Sequence, residues 1–122
     1  MTANWSKMFT HHIEYVKDTC YAMLLFSFQV AIHQDENGRF YIIENPYNAS
    51  SWSLKTSEIL HQRTGCELLR VDQCILGLIV ALDGETLTQK GSGISTNMPR
   101  LKTALRGKNL CDPQHQHWVL QD

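Results

Sequence analysis

The stretch Arg39–Pro46, with the sequence RFYIIENP, decides how the rest of the chain is interpreted. Its aromatic and β-branched residues favour a strand, and the unbroken apolar run predicts that both faces of this strand are buried. The run ends abruptly at Glu44-Asn45-Pro46. Ligands of open α/β sheets bind beyond the carboxyl ends of the strands. These three residues are therefore the first candidate site.

The side chains of this candidate site suit recognition of a heterocyclic base. The carboxyl group of Glu44 could protonate or hydrogen-bond a ring nitrogen, and the amide of Asn45 could pair with an exocyclic amine and a ring acceptor. Pro46 fixes φ and would stiffen the loop. The same tripeptide is also a good turn opener after a strand, and on spacing alone the turn is the commoner explanation.

The first 37 residues predict an N-terminal helix. Apolar residues recur at intervals of three and four from about residue 6 to residue 34, which is the helical period. From Cys20 to Ile32 they lie nearly all round the helix, so we expect other elements to enclose this part. The segment is too short to cross a bilayer, and the N-terminus lacks a secretory signal pattern. We therefore expect an intracellular protein, nuclear or cytoplasmic, without a membrane partner.

Helices and strands alternate after residue 46. The pattern predicts a helix that ends at Arg63 and a short helix that runs from an Asn97 N-cap to Arg106. The predicted strands are Glu67–Val71, Leu76–Leu82, Thr86–Gln89 and Ile94–Thr96. Gly91-Ser92-Gly93 lacks the pattern of a phosphate-binding loop and is expected to form a flexible turn.

This alternation predicts an α/β fold, with a partial Rossmann-like mixed sheet of roughly three to five strands flanked by helices. No linker or internal repeat divides the sequence, so we expect residues 1–122 to form one domain. Its parts would be an N-terminal helix at 1–37 and a half-sized sheet domain at 38–122. A complete doubly wound fold needs two βαβ halves, and the chain supplies about one.

The second candidate site is a cluster of metal-ligand residues in the C-terminal tail. In the pattern Cys111-x₃-His115-x-His117, an extended tail would direct both imidazoles to one face. A structural zinc ion needs four ligands, and Cys74, after a predicted strand, is the best-placed fourth ligand, with Cys66 second. A closed site would hold the tail on the sheet. The alternative is two surface histidines and ordinary buried thiols.

The charge balance gives little support for extensive phosphate binding. The chain has 11 Lys and Arg against 12 Asp and Glu, a formal net charge of −1. Proteins that bind many phosphates are normally more basic. The C-terminal third is nevertheless locally basic, although a solvated face is the commoner meaning of such a pattern. The candidate nucleic-acid-binding residues are Trp52, Lys90, Arg100, Lys102 and Arg106.

Several short motifs, taken in order, resemble a region found in polyproteins of retrotransposons and related mobile elements. They are Gly38–Pro46, Ala49–Trp52, Val71–Cys74 with Gly77-Leu78, Thr96-Asn97, and the tail residues Cys111, His115 and His117. The resemblance covers residues 38–120. That region is in turn similar to the second half of a DNA cytosine methyltransferase domain, in which Glu-Asn-Val follows a central strand. Here Glu44-Asn45-Pro46 stands at that place.

The resemblance implies that Glu44, with Asn45 and Pro46, forms a catalytic corner and contacts a ring nitrogen of a base flipped out of its stack. The first half of such a domain carries a Gly-rich loop for S-adenosylmethionine and a Pro-Cys nucleophile loop. Nothing upstream of residue 38 resembles either loop. The resemblance therefore implies an incomplete methyltransferase-like module that acts on or binds nucleic acid. A partner chain or another segment would have to supply the S-adenosylmethionine site, and whether the chain is an enzyme stays open.

Three hypotheses follow from the sequence. A methyltransferase-like nucleic-acid module predicts a groove around Glu44, Asn45 and Trp52 beside a basic patch. A non-enzymatic, zinc-stabilised interaction domain predicts a closed metal site, no open cleft at Glu44, and an exposed apolar patch on the first helix. A self-associating structural subunit predicts a homo-oligomer in which this helix packs against its copy.

Overall fold

The computed structural model describes residues 10–79, 84, 86–88, 90–107, 110–111 and 115–118. Its α-helices are α1 at Thr10–Glu36, α2 at Lys55–Thr64 and α3 at Pro99–Arg106. Its strands are β1 at Ile42–Pro46, β2 at Leu69–Asp72, β3 at Leu87–Thr88, β4 at Gly91–Thr96 and β5 at His117–Trp118. One 3₁₀ helix, Ser50–Ser53, precedes α2, and another, Gln73–Leu76, follows β2.

The main sheet has three strands in the order β1-β4-β2, and β4 runs antiparallel to both neighbours. Ile42 of β1 pairs with Thr96, and Leu69 of β2 pairs with Ile94. The predicted α/β class, with a sheet flanked by helices, is confirmed. Within this sheet the described strands pair only antiparallel, and not in the parallel or mixed way that we expect, because β4 lies between β1 and β2 and runs opposite to both. A separate two-stranded sheet pairs β3 with β5 in parallel.

The core lies where α1 and α2 pack together against β1. Its buried residues are Phe28, Ala31, Tyr41 and Leu60, and the partly buried Leu24, Ile32, Ile43 and Trp52 pack around them. Burying a large apolar side chain contributes roughly 1.5–3 kcal/mol. Few large side chains in the described part of the chain are fully buried. A crosslink elsewhere would therefore add usefully to stability.

The exposure of α1 contradicts the prediction that other elements enclose its second half. We expect Cys20–Ile32 to be enclosed, yet within this segment only Phe28 and Ala31 are buried. Phe26 and Val30 expose 67% and 43% of their surface. The prediction is wrong because, among the described residues, the rest of the fold covers one side of α1 and leaves the other in solvent. No helix in the described ranges has both the length and the apolar character that crossing a membrane requires.

β1 is an edge strand, and the prediction that both of its faces are buried is wrong. Ile42 exposes 55% of its surface, while Tyr41 is buried. The Glu44-Asn45-Pro46 motif lies inside β1 and not beyond its end. Consecutive side chains of a strand point to opposite faces, so Glu44 and Asn45 do not converge on one point.

Gly91-Ser92-Gly93 belongs to the central strand β4, where we expect a flexible turn. Glycine is depleted in strands, which is why the sequence pattern favours a turn. Gly93 is needed here because Trp52 packs directly against it: an added Cβ would lie 2.8 Å from the Trp52 indole nitrogen. Close approach of another group is a common reason for glycine within a strand.

The Asn97 side chain forms hydrogen bonds with residues just before β1. It does not cap α3, whose N-cap is Met98. Its Oδ1 accepts a 2.9 Å hydrogen bond from the Tyr41 N–H. Its Nδ2 donates to the Arg39 carbonyl oxygen at 2.9 Å and to Asp35 Oδ1 at 2.8 Å. The prediction of an Asn97 N-cap is therefore wrong, because the Asn97 side chain bonds to residues that are distant in the sequence and not to the first turn of α3.

The strand predicted at Leu76–Leu82 is not continuous. Leu76 ends a 3₁₀ helix, and Ile79 makes an isolated antiparallel bridge to Leu87. Residues 80–82, and residue 89 of the next predicted strand, lie outside the described residues. The predicted helices match α2 and α3 closely.

Candidate metal centre

Cys74 is held by a tight turn that follows β2. The 3₁₀ helix at Gln73–Leu76 ends at Gly77, whose φ of 85° is a left-handed conformation that favours glycine. The Gly77 N–H donates to the Cys74 carbonyl oxygen at 3.1 Å, and the Gln73 N–H donates to the Lys90 carbonyl oxygen at 2.9 Å. These bonds fix a thiol-bearing residue that exposes 2% of its surface.

The C-terminal tail brings further ligand atoms to Cys74. β5 pairs with β3, with His117 opposite Leu87. The Sγ atom of Cys111 lies 3.5 Å from Nε2 of His115 and 3.2 Å from Nε2 of His117. The four ligand atoms of Cys74, Cys111, His115 and His117 all lie within 4.8 Å of one another. The residues that the spacing predicts as ligands thus form one cluster that could hold a metal ion.

The residue types of this donor set, two thiols and two imidazoles, are those that structural zinc sites use. Tetrahedral zinc takes thiolates at about 2.3 Å and imidazoles at about 2.0–2.1 Å, which places neighbouring ligand atoms about 3.4–3.8 Å apart. The two distances from the Cys111 sulfur, 3.5 and 3.2 Å, lie close to that range. The rings of His115 and His117 meet edge to face, with centroids 4.4 Å apart. Both therefore present Nε2 to the same thiol without stacking on each other.

Asp72 links the two cysteine-bearing segments. Its side chain is 3% exposed. Oδ2 accepts a 2.9 Å hydrogen bond from the Cys111 N–H, and Oδ1 accepts one of 3.2 Å from the Arg70 Nε–H. Because Asp72 lies two residues before Cys74, its carboxylate fixes Cys111 relative to Cys74. Groups that orient metal ligands in this way raise metal affinity. Sequence reasoning missed Asp72, since no spacing rule marks it.

Comparison of the chain with protein-family models, with curated proteins and with solved structures gives no match.

Cys66, the second-choice ligand, lies in a different environment. Its buried thiol is 3.4 Å from the Thr64 carbonyl oxygen, and the Lys102 ammonium group lies 3.9 Å from its sulfur. It is not part of the cluster around Cys111. The choice of Cys74 over Cys66 as the fourth member agrees with the structure.

The Glu44 carboxylate lies at the surface in a short polar chain. Its side chain is 41% exposed, and its Oε1 lies 3.8 Å from Nζ of Lys90. It accepts a 2.9 Å hydrogen bond from the Ser92 hydroxyl, whose oxygen in turn accepts one of 2.7 Å from the Gln73 amide. The carboxylate is thus held in place and stays accessible.

The neighbours of Glu44 in the motif serve the packing of the strand. The Asn45 amide donates to the Ser51 hydroxyl at 3.2 Å. The Trp52 indole N–H donates to the Pro46 carbonyl oxygen at 3.0 Å, and its ring stacks on His61 with centroids 6.3 Å apart. These contacts give Asn45, Pro46 and Trp52 local structural roles.

The predicted phosphate-contacting residues do not form one free patch. Lys90 lies beside Glu44, and Arg106 forms an ion pair with Glu67. Lys102 is half-buried beside the Cys66 thiol. Arg100 is exposed near the start of α3. The positive charges of this region are partly neutralised by their surroundings.

Three cavities border the main sheet and α1, and the residues that hold the Glu44 carboxylate, Ser92 and Gln73, line the first of them. A groove of about 480 Å³ separates the main sheet from α3 and is lined mainly by apolar residues such as Val71, Ile94 and Leu101. A second opening of about 320 Å³ lies between α1 and β1, and a third of about 210 Å³ lies between α1 and α2. None of these three, in the described part of the chain, is lined by Glu44.

The structure also places a histidine next to a serine, a contact that no sequence pattern indicates. His61 Nε2 lies 2.9 Å from the Ser95 hydroxyl oxygen, which is 3.3 Å from the Tyr41 hydroxyl. Burial lowers the pKa of His61 and raises the pKa of Tyr41. Ser95 exposes none of its surface, so no substrate can reach it. This pair is a buried structural network and not a nucleophile with its base.

Proposed function

We propose that this chain is a non-enzymatic protein-interaction domain stabilised by one zinc ion. The observation that carries the proposal is the closed cluster of Cys74, Cys111, His115 and His117. Two thiolates and two imidazoles complete a tetrahedral shell, whereas a catalytic zinc site keeps a position for water or substrate. The set therefore suits a structural ion.

The proposed role of the ion is to attach the tail to the end of β2. Bound zinc would supply a crosslink between the Gln73–Leu76 turn and the segment that carries Cys111 and both histidines. Asp72 supports this crosslink from the protein side. Because the separate ligands do not form a site in the unfolded chain, metal-binding free energy becomes folding free energy.

The exposed apolar surface supports an interaction role. Met23, Phe26 and Val30, which are spaced by three and four residues along one side of α1, are exposed, although residues of this type are mostly buried in monomeric proteins. Contiguous exposed apolar surface usually marks a contact site for another chain.

Metal analysis of the purified full chain tests the proposal. We expect one zinc per chain in the wild type and loss of zinc in Cys111→Ser and His117→Ala. Cys66→Ser is the matched control, since Cys66 lies outside the cluster, and this variant should keep its zinc. Zinc retained by Cys111→Ser, or a wild-type protein whose stability is unaffected by a chelator, would contradict the proposal.

The second candidate function is a nucleic-acid-binding module derived from a Rossmann-like methyltransferase half-domain. It is favoured by the accessible Glu44 carboxylate, which Ser92 and Lys90 hold in a defined position. Titration calorimetry with S-adenosylmethionine and with short DNA and RNA oligonucleotides separates the two candidates. The interaction-domain proposal predicts no binding. Nucleic-acid binding that Glu44→Gln weakens without loss of stability would favour the second candidate.

A further inference from the structure

The cluster of Cys74, Cys111, His115 and His117 contains one buried thiol and one partly exposed thiol. Cys74 exposes 2% of its surface, whereas Cys111 is only partly covered. Their sulfur atoms lie within 4.8 Å of each other. None of the chain's four cysteines, all of which the structure describes, is in a disulfide. Zinc has no redox chemistry of its own, so oxidation of a loaded cluster would take place at these two sulfurs.

Two parts of the tail are held in different ways. At Cys111, the buried Asp72 carboxylate accepts the main-chain N–H at 2.9 Å, and this bond needs no metal ion. Further along, β5 pairs with β3 over two residues of each strand, in a two-stranded sheet separate from the main sheet. A two-stranded pair is marginally stable by itself in water. A bound ion, through His115 and His117, would therefore be the main support of β5.

We infer that the cluster is a redox switch: oxidation joins Cys74 and Cys111 in a disulfide, expels the ion and detaches β5, while Cys111 stays at the end of β2. This inference rests on the proposed zinc site and names its regulation. The disulfide holds Cys111 where Asp72 already places it. Two imidazoles remain, and zinc sites in proteins use at least three protein ligands, so the ion leaves. A thiol redox change thus acts on an element of low stability, as in other redox sensors.

Hydrogen peroxide is the oxidant of this step. The Cys111 thiolate attacks one peroxide oxygen, the O–O bond breaks, and Cys111 becomes a sulfenic acid with release of hydroxide. The Cys74 thiolate then attacks the Cys111 sulfur, the S–O bond breaks, and a second hydroxide leaves. Two protons convert both hydroxides to water, so the two sulfurs together lose the two electrons that the peroxide gains. Exposure sets the order, because peroxide reaches Cys111 before the buried Cys74.

Cys66 lies outside this chemistry. Its buried thiol contacts the Thr64 carbonyl oxygen and lies 3.9 Å from the Lys102 ammonium group, and it is not part of the cluster. The two sulfurs of a disulfide are about 2.05 Å apart, so a pair already within 4.8 Å needs little movement to reach it. Oxidation should therefore yield one defined product, the disulfide between Cys74 and Cys111.

Peroxide titration of the zinc-loaded full chain tests the inference. A chromogenic chelator follows the released zinc, a thiol reagent counts the remaining thiols, and mass spectrometry maps the disulfide. We expect one zinc released for every two thiols lost, with Cys74 joined to Cys111, and rebinding of zinc after reduction with dithiothreitol. Cys66→Ser is the matched control and should release zinc like the wild type, since Cys66 lies outside the cluster.

Hydrogen exchange tests the structural part of the switch. In the oxidised chain the amides of the β3–β5 pair should exchange at least about tenfold faster than in the zinc-loaded chain, while the Cys111 amide, bonded to Asp72, keeps its protection.

The outcomes separate the two proposals. A zinc-containing chain that keeps its ion under peroxide overturns the inference alone. A main product other than the disulfide between Cys74 and Cys111 does so too, as does unchanged protection of the β3–β5 pair after oxidation. A purified chain without zinc overturns the proposed function, and the inference with it.

Discussion

The buried carboxylate of Asp72 accepts a hydrogen bond from the main-chain N–H of Cys111, with 2.9 Å between Oδ2 and the nitrogen. These residues are 39 positions apart in the chain. The bond therefore fixes the tail relative to the end of β2 by a contact that does not itself require a metal ion. Bound zinc would add a second connection between the same two segments.

Asp72→Ala is expected to lower both stability and zinc affinity. The substitution leaves the Cys111 N–H and the Arg70 guanidinium without their acceptor, at a cost of about 1–3 kcal/mol in the free energy of unfolding. Zinc affinity should fall by about tenfold or more, as for other residues that orient metal ligands. Urea unfolding and competition with a zinc chelator measure the two effects. Glu67→Ala, at an exposed ion pair with Arg106, is the control and should change neither by much. An Asp72→Ala protein with wild-type zinc affinity would contradict the role given to Asp72.

Gly93→Ala is expected to destabilise the main sheet. The new Cβ would lie 2.8 Å from the Trp52 indole nitrogen and 3.1 Å from Leu68 Cδ1. Overpacking of this kind typically costs about 1–3 kcal/mol. Gly107→Ala is the matched control, because no atom lies within 4 Å of its added Cβ and its φ is negative. Thermal unfolding should show a lower Tm for Gly93→Ala alone; equal Tm values would refute the packing argument.

Asn97→Ala is expected to destabilise the start of β1. Its amide makes long-range hydrogen bonds to Tyr41, Arg39 and Asp35, and the substitution leaves a part-buried backbone N–H without an acceptor. Loss of such a set costs about 1–3 kcal/mol. Hydrogen exchange should show faster exchange of the Tyr41 amide than in the wild type. Unchanged exchange at this amide would show that Asn97 has no part in holding the strand.

Stability is expected to fall at acid pH through His61. Burial lowers the pKa of His61 from its usual 6.5, so the unfolded chain binds a proton at a higher pH than the folded chain does. The contribution is present above pH 6.5 and is lost as the pH falls towards the lowered folded pKa. His61→Gln should remove this part of the pH dependence. Urea unfolding of both proteins at saturating zinc, between about pH 5 and 8, gives the difference in slope. Parallel curves for the two proteins would contradict the prediction.

The sequence predicted the metal-ligand cluster because local spacing carried most of the information. His115 and His117 are two residues apart, a spacing that puts both side chains on one side if the tail is extended. Cys74 follows a predicted strand, which makes it the best-placed fourth ligand. The closure of the site over Asp72 could not be predicted, since it depends on which segments of the sheet lie next to each other.

Sequence patterns do not predict the order of the strands in the sheet or which apolar surfaces stay exposed. Glycine and serine in Gly91–Ser92 favour a turn locally, and only the packing of Trp52 on Gly93 explains a strand there. The all-round apolar pattern of α1 predicts burial, whereas Phe26 remains exposed. Periodicity reports that a face is apolar, but it does not report whether a second element of the same chain covers it.

The most direct test of the central claim is the visible absorption spectrum of the chain loaded with Co²⁺ in place of zinc. A site of two thiolates and two imidazoles predicts tetrahedral d–d bands with thiolate charge-transfer absorption at one Co²⁺ per chain, and stoichiometric displacement by zinc. The thiolate absorption should be reduced in Cys74→Ser and in Cys111→Ser, and unchanged in Cys66→Ser. An octahedral spectrum without thiolate absorption, or no Co²⁺ binding at all, would contradict the account.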